Sequence, residues 1–448
     1  MYHSDSTLLS ISKSQTARMG ISYAKLAHAP FLKRFNTTCN HHLKDICVIK
    51  KGTSITQNET ESGGIPVVAG GKDVAYFHNT FNRSSSHITV SASGANSGFV
   101  NFWEVPIWAS DCITIKSKDE NEYCTRFLYY LLRIIQDDIY LLQKGSDQPH
   151  VYADDLKYLL IPSISYARQV DILDSISKFE KKEKTLRNML LPDSGLIDEV
   201  FRKKFGFNYD AFEAQKAIKK YSTSTSRLSN NPDFRFSAKF HRPAGEYVMS
   251  ELNRITDRKI KHFLAEPIVL GASVSPSDYD DNGEYRYISM ATIKDWKFSP
   301  DIANLLSSIY SQAKLDKTVR KNDIIMARSG EGTIGKVALI EEDEIHGIFA
   351  DFTIRIRLKN YSSQFAYLYF RTTYFQYLVE IFKKGLGNNT NIFPIILREF
   401  PIPNISLDEQ QRIVDEITAE IEAQKQIHTQ ISELRKQIDR VITEAITA

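Results

Sequence analysis

The 448-residue chain has little cysteine, with only four residues, and little proline, with fourteen. Four cysteines at this length are too few for a disulfide scaffold, so a reducing, cytoplasmic compartment is expected. No apolar run approaches the roughly 20 residues that a membrane-spanning helix needs. The opening Met1-Tyr2-His3-Ser4-Asp5 lacks the apolar core of a signal peptide. Charge of one sign is missing too: 57 Lys and Arg stand against 54 Asp and Glu, a net charge of +3. That excludes a polybasic or polyacidic tail protein while leaving room for local basic faces. Catalytic signatures are absent as well. There is no G-x-S-x-G elbow, no H-E-x-x-H pair, no Asn-Pro-Pro-Tyr or Asp-Pro-Pro-Tyr tetrapeptide, and no nuclease-like carboxylate cluster. These absences shift the weight from catalysis to binding.

With 42% hydrophobic and 25% charged residues, the composition is that of a soluble globular protein. At roughly 100–200 residues per domain, the length suits two to four domains. Two local patterns mislead. Cys39, His41, His42 and Cys47 suggest zinc, but their spacing matches no common ligand set and no second pair follows. A loop leading into a strand is the expectation there, and no metal site is assigned. Gly330-Glu331-Gly332-Thr333-Ile334-Gly335 formally matches a nucleotide-binding glycine loop. Such a loop must open a helix, and a P-loop needs Ser or Thr after its Lys. Here Lys336 is followed by Val337 and a strand-like run, so tight strand-to-strand turns with positive-φ glycines are expected instead.

The informative feature is internal repetition. Ile161-Pro162-Ser163-Ile164-Ser165 recurs as Ile402-Pro403-Asn404-Ile405-Ser406, a shift of 241, and eight of the sixteen positions from Ile161 to Ile176 are identical to their partners. Gln169 falls on Gln410. Upstream, Ser93-Gly94 pairs with Ser329-Gly330, and Lys144-Gly145 with Lys384-Gly385; Ala24-Lys25 and Pro30 resemble Ala238-Lys239 and Pro243. The period is too long for a solenoid and points to a duplicated domain.

Within each half, short strands are expected at 88–92 and 112–115, and at 323–327 and 352–356. Short helices are expected near 127–136 and 365–375. The segment 207–232 is rich in Ser, Thr, Asn and Lys and reads as a linker. After each globular part the apolar spacing alternates between three and four, which predicts a coiled-coil seam. Its positions are Ile172, Ile176, Leu186 and Leu190, then Ile413, Ile417, Ile427, Ile431, Leu434 and Ile438. Polar Glu183 and Gln424 occupy equivalent seam positions suited to fixing register. The second helix, of some 40 residues, would be about 60 Å long, more than one small domain covers. Pro192 should interrupt the first.

Taken in order, the Val90-Ser91-Ala92-Ser93-Gly94 loop, the Gln143-Lys144-Gly145 turn, the Leu160-Ile161-Pro162 strand leading to Gln169, and their second copies resemble the DNA-specificity subunits of type I restriction–modification enzymes. The resemblance covers about residues 22–446. It implies an α+β fold, with two target-recognition domains separated by two long helices in an antiparallel coiled coil. The corresponding division is a flexible arm at 1–21, recognition domains at 22–165 and 232–405, spacer helices at 166–206 and 406–448, and a linker at 207–231. The resemblance further implies that each domain reads half of a bipartite DNA site and that the chain itself is not catalytic. Its implied partners are double-stranded DNA, two methyltransferase subunits carrying S-adenosylmethionine, and restriction motor subunits using ATP and Mg.

DNA reading needs phosphate contacts for affinity and base-edge contacts for sequence. Lys72, Lys144, Arg328, Lys383 and Lys384 lie in or beside the glycine-rich loops and suit phosphates. Asn96, Ser97, Gln148 and His150 in the first half suit base edges, as do Glu331, Thr333, Asn388, Asn389 and Asn391 in the second. The competing reading of each is a turn residue bonded to its own backbone. Two other readings of the chain stand beside this one. One is a methyltransferase or nuclease carrying recognition domains, or the specificity subunit of a type IIB-like restriction system. The other is a coiled-coil interaction protein with no DNA role.

Overall fold

The computed structural model describes residues 39–145, 147–226, 235, 237–330, 332–343, 345–385 and 389–447. The arm at 1–21 and the Ala24-Lys25 motif lie outside the described residues. The chain divides into two compact units. One comprises Met1–Met189 and Ile427–Ala448, and the other Leu190–Gln426.

In the first unit, alternating and continuous apolar runs form a four-stranded antiparallel sheet. Its order is Cys47–Lys51, Cys112–Ser117, His87–Ser91, Val100–Trp103. All five residues of His87–Ser91 are buried, because that strand is central and covered on both faces. The helix Thr125–Ile134 presents Phe127, Leu128, Leu131 and Leu132 to this sheet's core. A second sheet pairs Ile65–Val68 antiparallel with Tyr76–His78 and parallel with Trp108–Ala109.

The second unit repeats the plan. Ile324–Ala327 lies between Val337–Leu339 and Thr353–Ile356, all antiparallel. Tyr285–Ile288 pairs antiparallel with Leu305–Leu306 and parallel with Gly347–Phe349. The duplication read from sequence is therefore a duplication of sheet topology, and the fold is α+β.

Buried glutamines lock each long helix onto its domain. Gln169 is fully buried; its Nε2 donates to the carbonyls of Glu122 and Ile164 at 2.8 and 2.9 Å, and its Oε1 accepts the Cys124 N–H at 2.9 Å. Gln410 does the same in the second unit, donating to the Ile405 carbonyl at 2.9 Å and accepting the Ser362 N–H at 2.8 Å. Cys124 and Ser362 each cap the following domain helix. Tyr123 donates to the Pro162 carbonyl and Tyr361 to the Pro403 carbonyl, a further matched pair.

The long helices differ from a continuous heptad seam. The first runs Tyr166–Asn188, stops, and resumes as Asp193–Phe205 with Pro192 at the N-cap. Proline has no N–H to give and fixes φ near the observed −67°, so the break falls where it stands. The last helix is continuous over Leu407–Thr447. In the first unit, Tyr166–Asn188 runs antiparallel to the end of that helix: Arg168 donates to the Ala445 carbonyl at 3.4 Å, and Arg435 to Glu183 at 2.8 Å. Ile172, Ile176, Ile438 and Ile442 share one core cluster there. In the second unit, the Leu191 N–H donates to Gln424 Oε1 at 3.0 Å, and Ile197, Val200 and Phe201 share a cluster with Ile413, Val414 and Ile417. Glu183 and Gln424 thus each receive a hydrogen bond across a helix pair.

Of the predicted seam, Ile172, Ile176, Ile413, Ile417, Ile431, Leu434 and Ile438 are buried; Leu186, Leu190 and Ile427 are only partly so. Leu186 and Leu190 both precede Pro192: Leu186 lies in the last turn of Tyr166–Asn188, and Leu190 lies in the break that follows it. Ile413 and Ile417 belong to a domain core containing Phe365 and Phe375, rather than to a bare helix–helix seam. Toward the C-terminus burial moves to Ile442, which follows Ile438 by four, as a helix of 3.6 residues per turn requires.

The linker assignment is corrected over its first part. Tyr209–Lys216 is helical, and Phe207 and Phe212 are buried, their rings 4.7 Å from Tyr374 and 4.9 Å from Tyr377. The polar composition that suggested a linker hid two aromatic anchors.

Candidate nucleic-acid interface

Each unit carries one loop cluster built by the repeated glycine motifs. In the first, the chain leaves His87–Ser91, turns through Gly94 and Gly98 at φ 79° and 91°, and returns as Val100–Trp103. These conformations suit glycine because a side chain would crowd the carbonyl. Lys144 and His150 exchange both backbone hydrogen bonds at 2.8 Å, and the Val151 N–H donates to the Ala92 carbonyl at 3.0 Å. A second glycine turn, at Gly145 with φ 95°, is thereby clasped against the first. A Cβ on Gly145 would sit 2.9 Å from the Gln148 carbonyl oxygen.

The second unit makes the same clasp. Lys384 and Asn391 exchange backbone bonds at 2.8 and 2.7 Å, and the Ile392 N–H donates to the Arg328 carbonyl at 2.9 Å. Gly330, Gly332, Gly335 and Gly385 all have positive φ. After Gly335 the chain enters the strand Val337–Leu339, so the glycine-rich stretch serves a strand-to-strand turn and not a helix-opening phosphate loop. The clasp is made of backbone groups, while the side chains at its matched positions differ: buried Ala92 and half-buried His150 in one copy, half-buried Arg328 and Asn391 in the other.

The candidate residues separate on burial. Lys72, Lys144, Gln148 and Asn389 are exposed. Lys72 lies 5.4 Å from the Phe99 ring, and Lys144 pairs with Asp155 at 3.0 Å and lies 5.0 Å from the Tyr152 ring. Asn96 and His150 are half-buried, His150 with its ring 6.2 Å from Tyr152. Arg328, Thr333, Lys384 and Asn391 are half-buried. Thr333 spends its hydroxyl on the Ser329 carbonyl at 2.8 Å, so it is a turn residue. Ser97 is fully buried and its carbonyl accepts from Gln143 at 2.7 Å, which removes it from any DNA-facing surface. Lys383 is also withdrawn: its side chain is buried and pairs with Glu380 at 2.8 Å. Glu331 and Asn388 lie outside the described residues.

Arg328 is the most constrained cation of the set. Its Nε donates to the Asp351 carbonyl at 2.8 Å and its Nη1 to Asn391 Oδ1 at 3.0 Å. Burial pulls its pKa below the usual arginine value, partly offset by the Asp351 carboxylate. The rings of Phe352 and Phe393 lie 5.9 and 6.0 Å from the guanidinium. Both rings are exposed. Sequence reasoning missed these apolar neighbours because it sought polar groups. The signal available was Phe393 standing two residues after Asn391.

Among the described residues, no group of three or more His, Cys, Asp and Glu side chains is placed to hold a metal ion. His42 Nδ1 instead lies 3.2 Å from the Tyr158 carbonyl, and burial pushes the Cys47 thiol up to about 12. No helix among those residues is long and apolar enough to cross a membrane.

Two regions, residues 40–191 and 268–436, match the family described as type I restriction modification DNA specificity domain, and together they cover more than half of the chain. No curated protein matches the chain. Among solved structures, the chain is similar to a type I restriction–modification S subunit from M. genitalium, with 15% identity, TM-score 0.41, and coverage of 91% of this chain and 96% of that one. It is similar to a chain from a study of complex assembly and conformational transition in the type I R-M system, at 14% identity and TM-score 0.44, with the same coverage. The HsdS subunit of Thermoanaerobacter tengcongensis gives 16% identity and TM-score 0.31, again over 91% and 96% of the two chains.

Proposed function

The chain belongs to the type I restriction–modification DNA specificity family, and from that premise we propose how it confers sequence specificity. Each loop cluster reads one half of an asymmetric, bipartite double-stranded DNA site. The paired long helices hold the half-sites at a fixed spacing and dock two methyltransferase subunits. The chain performs no chemistry itself. Its methyltransferase partners bring S-adenosylmethionine and flip an adenine out of the duplex for methylation. Restriction motor subunits, when joined, bring ATP and Mg.

The observation that carries this reading is the clasp made twice from backbone groups and dressed with different side chains. Backbone contacts and glycines let a loop approach DNA closely, and differing side chains at matched positions give two different half-sites. The modest net charge of +3 fits a subunit whose partners share the grip on phosphates.

The test is a methylome. The chain is expressed with its methyltransferase partner, and modified adenines in the host genome are mapped. The expected result is one motif of two unlike half-sites with a fixed spacer. Full expression of both proteins without new methylation would sink the reading.

A further inference from the structure

We propose that Arg328 is the residue with which the second unit reads a guanine; this rests on the reading above that the loop clusters contact DNA bases. The alternative is that Arg328 merely ties its loop together. The repeat argues against that. The first unit forms the same clasp with Ala92 at the matched position, whose side chain can tie nothing. The backbone bonds of the clasp therefore do not require the Arg328 side chain, and its contacts invite another reason.

Those contacts hold it ready. The Asp351 carbonyl takes Nε–H and Asn391 takes one Nη1–H. Among the described residues, Nη2 has no hydrogen-bond partner, so two Nη2–H groups and the second Nη1–H remain for a ligand. A planar, bidentate donor matches the O6 and N7 acceptors of guanine in the major groove. Fixing a long side chain beforehand removes an ordering cost from binding.

Two neighbours favour a base over a phosphate. The Asp351 carboxylate, which accepts from the Ser273 hydroxyl at 2.9 Å, sits close enough to act on Arg328 and would repel a phosphate. It also suits the amino group of the cytosine paired with that guanine. The second neighbour is the apolar rim, where Phe352 and Phe393 keep 47% and 38% of their surface exposed. Clustered apolar exposure around a pre-set polar group marks a binding surface.

The experiment uses the full chain assembled with its methyltransferase subunits, as wild type, Arg328→Ala and Arg328→Lys. Methylated sites are sequenced from a randomised double-stranded library, and unfolding curves are recorded for each variant. Both variants should lose discrimination at one G·C position in one half-site, by roughly 10- to 100-fold. The other half-site and the spacer should not change. Lys keeps the charge but not the fork, so its failure to rescue separates base reading from charge attraction. An unchanged motif in both variants would overturn the proposal. So would rescue by Lys, or loss of all methylation by both variants with unfolding curves like wild type, which would make Arg328 an anchor. A wild-type complex that methylates no bipartite site would instead remove the DNA-reading premise, and the proposal with it.

Discussion

Replacing Gln169 by Leu tests how the first long helix is held. The side chain is fully buried and makes three hydrogen bonds, two as donor and one as acceptor. Leucine fills similar space but leaves the Cys124 N–H without a partner at the cap of Thr125–Ile134. A buried donor left unmade costs about 1–3 kcal/mol, and the two carbonyls that lose their donor add to it, for about 2–4 kcal/mol in all. Hydrogen exchange by mass spectrometry reads this locally. Amides around Cys124 should exchange roughly 30- to 700-fold faster if that free energy is lost to local opening. Gln169→Glu should do no better. Its carboxylate still accepts from Cys124, but it has no N–H for the carbonyls and places a charge in a buried site. Gln410→Leu should give the matching effect around Ser362, somewhat smaller because one fewer bond is made. A change below threefold around Cys124, or equal changes around Cys124 and Ser362 from a single substitution, would refute the reasoning.

Asp323→Asn should destabilise the second unit by about 2–4 kcal/mol in denaturant melts, because fully buried Asp323 takes both Nε and Nη2 of Arg357 at 2.7 Å and only Glu266 would remain as its counter-ion. Gly385→Ala places a Cβ against the Asn389 carbonyl in a φ of 111°, so it should cost about 1–3 kcal/mol and reduce DNA affinity, while Gly64→Ala, which meets nothing within 4 Å, should change neither. Lys261 and Lys259 hold the Glu399 carboxyl down at about 2, below its ordinary 4.5. Its contribution is therefore fully present above about pH 4.5 and fades as pH falls toward 2, and because the group is largely exposed it should amount to less than about 1 kcal/mol. Glu399→Gln should flatten the acid limb of the stability curve by that amount and no more.

The repeat made the architecture legible before any coordinates. Identical residues such as Ile161-Pro162 and Gln169 recur because the same helix cap and buried bonds are built twice. The positive-φ glycines were legible for the same reason, since loops without a side-chain requirement keep their backbone requirement. Most of what stayed hidden depends on distant partners. Ser97 looks like a surface residue, but the packing of Gln143 on it is settled by chain folding and not by local pattern, and Lys383 is buried although its ion-pair partner Glu380 stands only three residues away. Phe207 and Phe212 were lost in a polar stretch because two residues carry its burial. The heptad pattern did not reveal that Ile413 and Ile417 share their cluster with Phe365 and Phe375 as well as with Ile197, Val200 and Phe201, since apolar spacing records that a face is covered, not by what. The glycine conformations of the candidate loops were legible, and the apolar rings beside Arg328 were not.

The clasp that joins the two glycine turns has an economic consequence for change. Its bonds run between main-chain groups, so the bonding pattern itself does not specify which side chain stands at His150, Arg328 or Asn391. Substitution at the half-buried His150, Arg328 or Asn391 alters what the surface displays while the main-chain bonds of the clasp remain available. A protein built this way has separated the vocabulary of its loops from the grammar of its fold, and new words can be tried one residue at a time.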